Sequence, residues 1–310
     1  MKFKHTLKYV DQNKEKMSQN PIPVNKDRLY ADVEKLTSID PPRNYLNLES
    51  LNAIADYIHN EFKQWDCETQ VQEYLADDNT YKNVIASFNP EHTTRIVLGA
   101  HYDVCGEQPG ADDNASAVAG LLEVGRLIHE LKPTLNCRVD LVAFSLEEPP
   151  YFQTPLQGSA IHASSLAKAK VKLKAMICLE MIGYFSDEPN SQQFPLPQLA
   201  DMYPSVGNFI VVVGQMGEEA LVQQVKTSMQ QVAQIDVQSI AAPRSVTGIT
   251  FSDHASYWDK GYPAVMINNT SFYRNPNYHE VTDTIDTLDF DKMTEVVRGV
   301  YWAVVELAAD

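Results

Sequence analysis

Cys137-Arg138-Val139-Asp140-Leu141-Val142-Ala143-Phe144-Ser145-Leu146-Glu147-Glu148-Pro149-Pro150 is the stretch on which the fold turns. Its first eight residues read as a strand that becomes wholly buried, and the two prolines stop it. Two acids at the end of a buried strand need a reason, because charge away from water is costly unless paired or bound to metal. His101 and Glu180 also close apolar runs, Asp113 begins a helix, and His279 stands in a loop. Together with Glu147 and Glu148 they point to a two-metal hydrolase.

Working outward, the spacing of apolar residues predicts helices over 25–38 and 48–65, the second with Leu51, Ile54, Ala55, Ile58 and Phe62 on one stripe. Strands are expected at Cys67–Tyr74, Asn83–Phe88 and Arg95–Ala100. The first two, joined by Leu75–Lys82, read as an antiparallel hairpin. A helix over 115–131 puts Val118, Leu121, Leu122, Gly125 and Ile128 on one face, with Asn114 or Asp113 as its N-cap. After strand 137–144 come a helix at 157–168 and strands at 175–182, 208–214 and 264–268. Helices at 217–233 and 289–308 complete the pattern. Strands alternating with helices imply an α/β sandwich around a mixed, mostly parallel sheet. Ligands of such sheets collect beyond the carboxyl ends of the strands, where His101, Glu147, Glu148 and Glu180 all fall. The irregular segment 186–206 is a candidate pocket wall or lid.

The chain of 310 residues is long enough for a large core, with 44% hydrophobic and 21% charged residues. A formal net charge of −16 argues against nucleic acid or an anionic membrane as partner. No apolar run reaches the roughly 18 residues of a membrane span. Residues 1–24 read as a polar arm, followed by a single domain over 25–310. The basic start lacks the apolar core of a secretory signal, which makes the cytoplasm the simplest location. Cys67, Cys105, Cys137 and Cys178 form no CxxC pair, so reduced thiols are expected. Cys105 and Cys178 stand close in sequence to His101 and Glu180. Nothing in the chain specifies an oligomeric state.

Taken singly, these residues have plain uses. His101-Tyr102-Asp103 is a strand end, in which Asp103 could accept the imidazole's second N–H and fix its tautomer. Asp112-Asp113-Asn114 is a helix cap, His279 a loop histidine, and His129 and His162 helix-surface residues. Arg274 reads first as a surface salt bridge, with a substrate carboxylate or carbonyl as its other use. Tyr151-Phe152 could line a pocket or sit in the core.

Taken together, six segments resemble the zinc exopeptidases that include the bacterial leucyl aminopeptidases, the prostate membrane antigen carboxypeptidase and the glutaminyl cyclases. They are Gly99–Asp103, Gly110–Ser116, Phe144–Glu148, Leu179–Gly183, Ser252-Asp253-His254 and Tyr278–Thr284, in the family's order and spanning residues 80–300. The resemblance implies a three-layer sandwich, the zinc exopeptidase fold. It implies two zinc ions bridged by Asp113, with His101 and Glu180 on one and Glu148 and His279 on the other. Glu147 would be the general base and Tyr278 an oxyanion donor, while Ser252-Asp253-His254 would shape the pocket without His254 as a ligand. A cis peptide between Asp113 and Asn114 is implied as well. The chemistry agrees, since paired zinc ions activate a shared water and an unligated carboxylate shuttles its proton to the leaving amine.

One position departs from the pattern. The aminopeptidases carry Asp where this chain has Glu180, so the carboxylate is kept at a longer reach. The expectation is an exopeptidase, foremost an aminopeptidase acting on short peptides. A carboxypeptidase is one alternative. Another is a one-zinc glutaminyl cyclase, although the cyclases have Trp where Tyr278 stands. Side-chain preference and the choice of peptide end are set by loops.

Overall fold

The computed structural model describes residues 22–309. Its eight strands are β1 (Glu68–Ala76), β2 (Asn79–Phe88), β3 (Thr94–His101), β4 (Arg138–Phe144), β5 (Lys172–Glu180), β6 (Phe209–Gln215), β7 (Asp236–Ala242) and β8 (Ala264–Asn268). They form one sheet in the order β1-β2-β4-β3-β5-β8-β6-β7. The central four, β4-β3-β5-β8, run parallel to one another, with His101 opposite Phe144 and Glu180 opposite Asn268. Their carboxyl ends therefore share one edge. β2 pairs antiparallel with β1 and β4, and the parallel pair β6–β7 joins β8 antiparallel, so the sheet is mixed as expected.

The helices are α1 (Lys26–Thr37), α2 (Leu48–Phe62), α3 (Ala117–Leu131), α4 (Gly158–Lys168), α5 (Glu219–Gln230), α6 (His254–Trp258) and α7 (Phe290–Ala309). One face of the sheet carries α1, α2, α3, α5 and α7, and the other carries α4 and α6. β4 feeds both layers: Val139, Leu141 and Ala143 point into the first, Val142 and Phe144 into the second. That is why its sequence is apolar throughout rather than alternating. Its one internal charge, Asp140, is paired with Arg138 and bonded to Ser87.

α3 is almost wholly buried and lies close on the sheet through Gly125, where a Cβ would stand 2.3 Å from Trp65 and 2.7 Å from Leu141. Gly125→Val is accordingly expected to cost about 1–3 kcal/mol by overpacking. A thermal unfolding curve with an unchanged Tm would count against this packing.

Several elements differ from the sequence reading. Strands β1 and β2 run through most of 75–82, leaving Asp77-Asp78 as a two-residue turn. Strand β7 was not expected: it is an edge strand whose Gln238 and Ser239 are only half-buried, so it has no apolar run. Helix α6 is too short to show a period. Helix α3 starts at Ala117 rather than 115, after a wide turn over Ala111–Ser116 in which Asp113 and Asn114 are non-helical. Of the arm expected at 1–24, residues 1–21 lie outside the described residues; Ile22 is buried. All four cysteines are free thiols. Among the described residues, no helix is long and apolar enough to cross a membrane.

Candidate metal centre

Asp113 stands in the wide turn before α3, and the peptide linking it to Asn114 is cis. A turn of this kind leaves backbone groups without helical partners, and side chains supply them. Asp283 accepts from Asp112 N at 2.9 Å and from Asp113 N at 3.0 Å. The buried Arg43 donates to the carbonyls of Leu36, Tyr102, Pro109 and Gly110. Asn114 does not cap α3. Its Oδ1 accepts from Met181 N at 2.8 Å and its Nδ2 donates to Leu179 O at 3.1 Å, tying the turn to the end of β5. Asp112 accepts from Gly183 N, Tyr184 N and the amides of Asn269 and Asn275. It anchors the loops, and Asp113 faces the centre.

Around Asp113 the other candidates converge. Its Oδ1 lies 3.3 Å from His101 Nε2, and its Oδ2 lies 3.3 Å from His279 Nε2. His101 Nε2 is 3.4 Å from Glu180 Oε2, and His279 Nε2 is 3.3 Å from Glu148 Oε2. One carboxylate thus serves two equivalent sets, each an imidazole and a glutamate. Glu147 stands slightly apart, its Oε2 3.8 Å from His101 Nε2. Leu146, Met181 and His279 are left-handed at φ +60°, +48° and +58°, conformations that cost non-glycine residues energy and cluster at functional sites. Each lies beside or at a residue of the centre.

Asp103 does more than the sequence suggested. His101 Nδ1 lies 3.2 Å from its carbonyl oxygen and 3.4 Å from its Oδ1. Its two carboxylate oxygens also accept from Glu147 N and Glu148 N, each at 3.1 Å. One residue therefore orients the imidazole and both glutamates.

Burial and mutual repulsion dominate the electrostatics. Burial, then the charge on Asp113, pushes Glu148 up to about 7. Glu180 is also pushed up to about 7, by burial first. Burial, with Glu148 and Glu180 nearby, holds Glu147 well above the usual carboxylate range. Asp113 is held low: burial opposes this, but the two imidazoles outweigh it. The donor set fits divalent cations. His101 Nε2, Asp113 Oδ1 and Glu148 Oε1 are buried with no hydrogen-bond partner, and unpartnered buried polar atoms are rare unless something binds them. His101, Asp113 and Glu180 bring donor atoms within 4.8 Å of one another, and so do Glu148, His279 and Cys105. Imidazole plus carboxylate, without a CxxC, is a catalytic rather than structural donor set.

Tyr278 stacks on His279 with ring centroids 3.8 Å apart and lines the adjoining cavity. This cavity, of about 280 Å³, opens from Asp113, Glu147, Glu148 and Glu180 onto one face of β6 and β8. Phe209, Val211 and Val213 form its floor, and Phe194, Leu199 and Tyr203 of the irregular segment form one wall, as expected for residues 186–206. Phe152 lines it, while Tyr151 is buried and donates to Asp77. Among the described residues, no Lys or Arg lines it.

Other residues fall elsewhere than expected. Arg274 is no surface salt bridge: it is buried, donates to Phe209 O and Gln192 Oε1, and lies over the Phe209 ring. His162 is buried against Tyr257 OH at 2.6 Å, and burial lowers it to about 4. His129 is half-buried and accepts from Asp66 N. His254 bonds Ile249 O, away from the donor sets. The sequence gives no sign of Arg43 or Asp283 as supports and reads Asp112 only as part of a helix cap. Asp112 and Asp283 lie inside motif segments, whereas Arg43 follows no recognisable pattern.

Comparisons with known proteins show the family. The profile of Peptidase family M28 matches residues 83–304. The chain is 40% identical to the uncharacterized protein YfbL of Escherichia coli K12, covering 92% of this chain and 89% of that one. It is 27% identical to leucine aminopeptidase 1 of Fusarium vanettenii, over 92% of this chain and 70% of that one. Among solved structures, the LapA aminopeptidase of Legionella pneumophila superposes with a TM-score of 0.75 at 19% identity, covering 97% of this chain and 76% of that one, a likeness of fold. With the profile spanning most of the sequence and the fold and clustered residues in accord, the chain belongs to peptidase family M28 and is a metallo-exopeptidase.

Proposed function

We propose that the protein is an aminopeptidase working with two zinc ions. The observation that carries the pair is the Asp113 carboxylate, whose two oxygens face two different histidine–glutamate sets. In this reading Asp113 would contribute to both ions, His101 and Glu180 would hold one, and Glu148 and His279 would hold the other. When bound, such ions polarise the scissile carbonyl and acidify water. Glu147, outside both sets, takes the proton from the attacking water and returns it to the leaving amine. Tyr278, at the cavity edge beside His279, donates from its hydroxyl to the carbonyl oxygen as charge develops there.

The cavity supports the choice of peptide end. Its polar rim is the acids of the centre, which favour a cationic N-terminus over a C-terminal carboxylate, and among the described residues no Lys or Arg lines it. Its apolar floor and wall suit a large, uncharged first side chain. Peptides beginning with Leu or Phe are expected to be hydrolysed by the zinc-loaded protein, and their N-acetylated forms to resist. Equal hydrolysis of both forms would sink the aminopeptidase reading, and release of pyroglutamyl product from N-terminal glutamine would favour the cyclase. Val213→Phe, which fills the floor, should raise KM for Leu- and Phe-initiated peptides roughly tenfold or more while sparing Ala-initiated ones.

A further inference from the structure

A free cysteine ordinarily packs as a small apolar residue. Cys137 and Cys178 do so inside the two layers of the core, and Cys67 packs against the first. Cys105 belongs to neither layer. It is half-buried in the loop after β3, and its Sγ lies within 4.8 Å of a donor atom of Glu148 and of His279.

Fixed backbone on either side delivers it there. Before it, the carboxylate of Asp103 accepts from Glu147 N and Glu148 N, each at 3.1 Å, which fastens the end of β3 to the loop carrying Glu148. Val104 N donates to Arg43 O at 3.2 Å. After it, Gly106 is left-handed at φ +62°, a conformation that suits glycine, and its carbonyl accepts from Asn44 Nδ2 at 2.7 Å. The same donor set holds an orphaned atom. Glu148 is 4% exposed, and its Oε1 is buried without a hydrogen bond while its Oε2 faces His279. Buried polar atoms seldom go unpartnered unless something binds them.

The two sets around Asp113 therefore differ in kind. His101 and Glu180 offer nitrogen and oxygen. Glu148 and His279 offer the same with a sulfur beside them, a softer donor that favours zinc over magnesium or manganese.

We infer that Cys105 is a further ligand of the metal held by Glu148 and His279, which makes the two sites chemically unequal. The inference rests on the two-ion reading above. Binding breaks the S–H bond, forms a sulfur–metal bond and passes the proton to solvent.

The test is cobalt(II), which takes nitrogen, oxygen and sulfur ligands as zinc does. A thiolate bound to it absorbs in the near ultraviolet by sulfur-to-metal charge transfer. Metal-free wild type, Cys105→Ser, Cys105→Ala and Cys178→Ala would each be loaded with cobalt and the bound metal counted per chain. Circular dichroism and metal-free Tm would check the fold. The wild type is expected to show the band, Cys178→Ala to keep it, and both Cys105 variants to lose it while still binding cobalt. Two cobalt ions per wild-type chain without the band would overturn the inference and leave the two-ion reading standing. A band that survives in both Cys105 variants would overturn it as well, since another cysteine would then supply the sulfur. One cobalt ion per wild-type chain would overturn the two-ion reading, and the band, present or missing, would still decide whether Cys105 is a ligand.

Discussion

Glu147→Gln is expected to keep its zinc and lose between about 10²- and 10⁴-fold in kcat, the range for removing a general base. The amide preserves the shape of the side chain, and Glu147 lies outside the two sets built on Asp113, 3.8 Å from His101 Nε2. Its backbone N–H stays on Asp103, so the neighbouring ligands are not released. Glu148→Gln provides the contrast. That residue faces His279 at 3.3 Å and has a second carboxylate oxygen buried without a partner, so its loss should weaken one ion. Metal analysis and steady-state kinetics on the same preparations separate the two. Near-normal turnover in Glu147→Gln together with two retained ions in Glu148→Gln would reverse the assigned roles.

Asp113→Asn should do more damage than either, because both sets share that carboxylate. The amide retains one oxygen but places a donor NH₂ against the other imidazole or cation, and a donor cannot ligate. Both ions are expected to be lost on gel filtration. Activity should then fall towards the uncatalysed rate, a loss on the order of 10⁶-fold or more for a typical enzyme. The turn itself should survive, since Asp283 holds it through backbone N–H groups and not through the Asp113 side chain. A variant that retains two ions would show that the bridge is not needed.

The candidate ligands and base meet in two stages. Four parallel strands end at one edge, which brings His101, Glu147, Glu148 and Glu180 to the same rim. Fine placement comes afterwards, from Asp103, Asp112, Asn114, Asp283 and Arg43 satisfying the backbone of the loops between. These groups are buried, so each bond removes a conformational choice that water would otherwise compete for.

The amino-acid sequence by itself determined the architecture and the chemical inventory. Apolar runs of strand length alternating with helical stripes specify layers, because burial is set by local periodicity. Acids and histidines directly after those runs stand at strand ends whatever the loops do. Weak periodicity hid what remained: β7 buries few residues, α6 is about one turn long, and His162 and Arg274 look polar in a string yet are buried through partners far along the chain. Only the tertiary structure decided that Asp103 orients two glutamates, that Ser252 bonds Glu180, and that the cavity beside the centre is largely apolar, with no Lys or Arg lining it among the described residues. Those are contacts between residues 44 to 72 positions apart, and surfaces assembled from four or more loops. Hydrogen bonds and cavity walls of that kind depend on distances in space, which no spacing along the chain encodes.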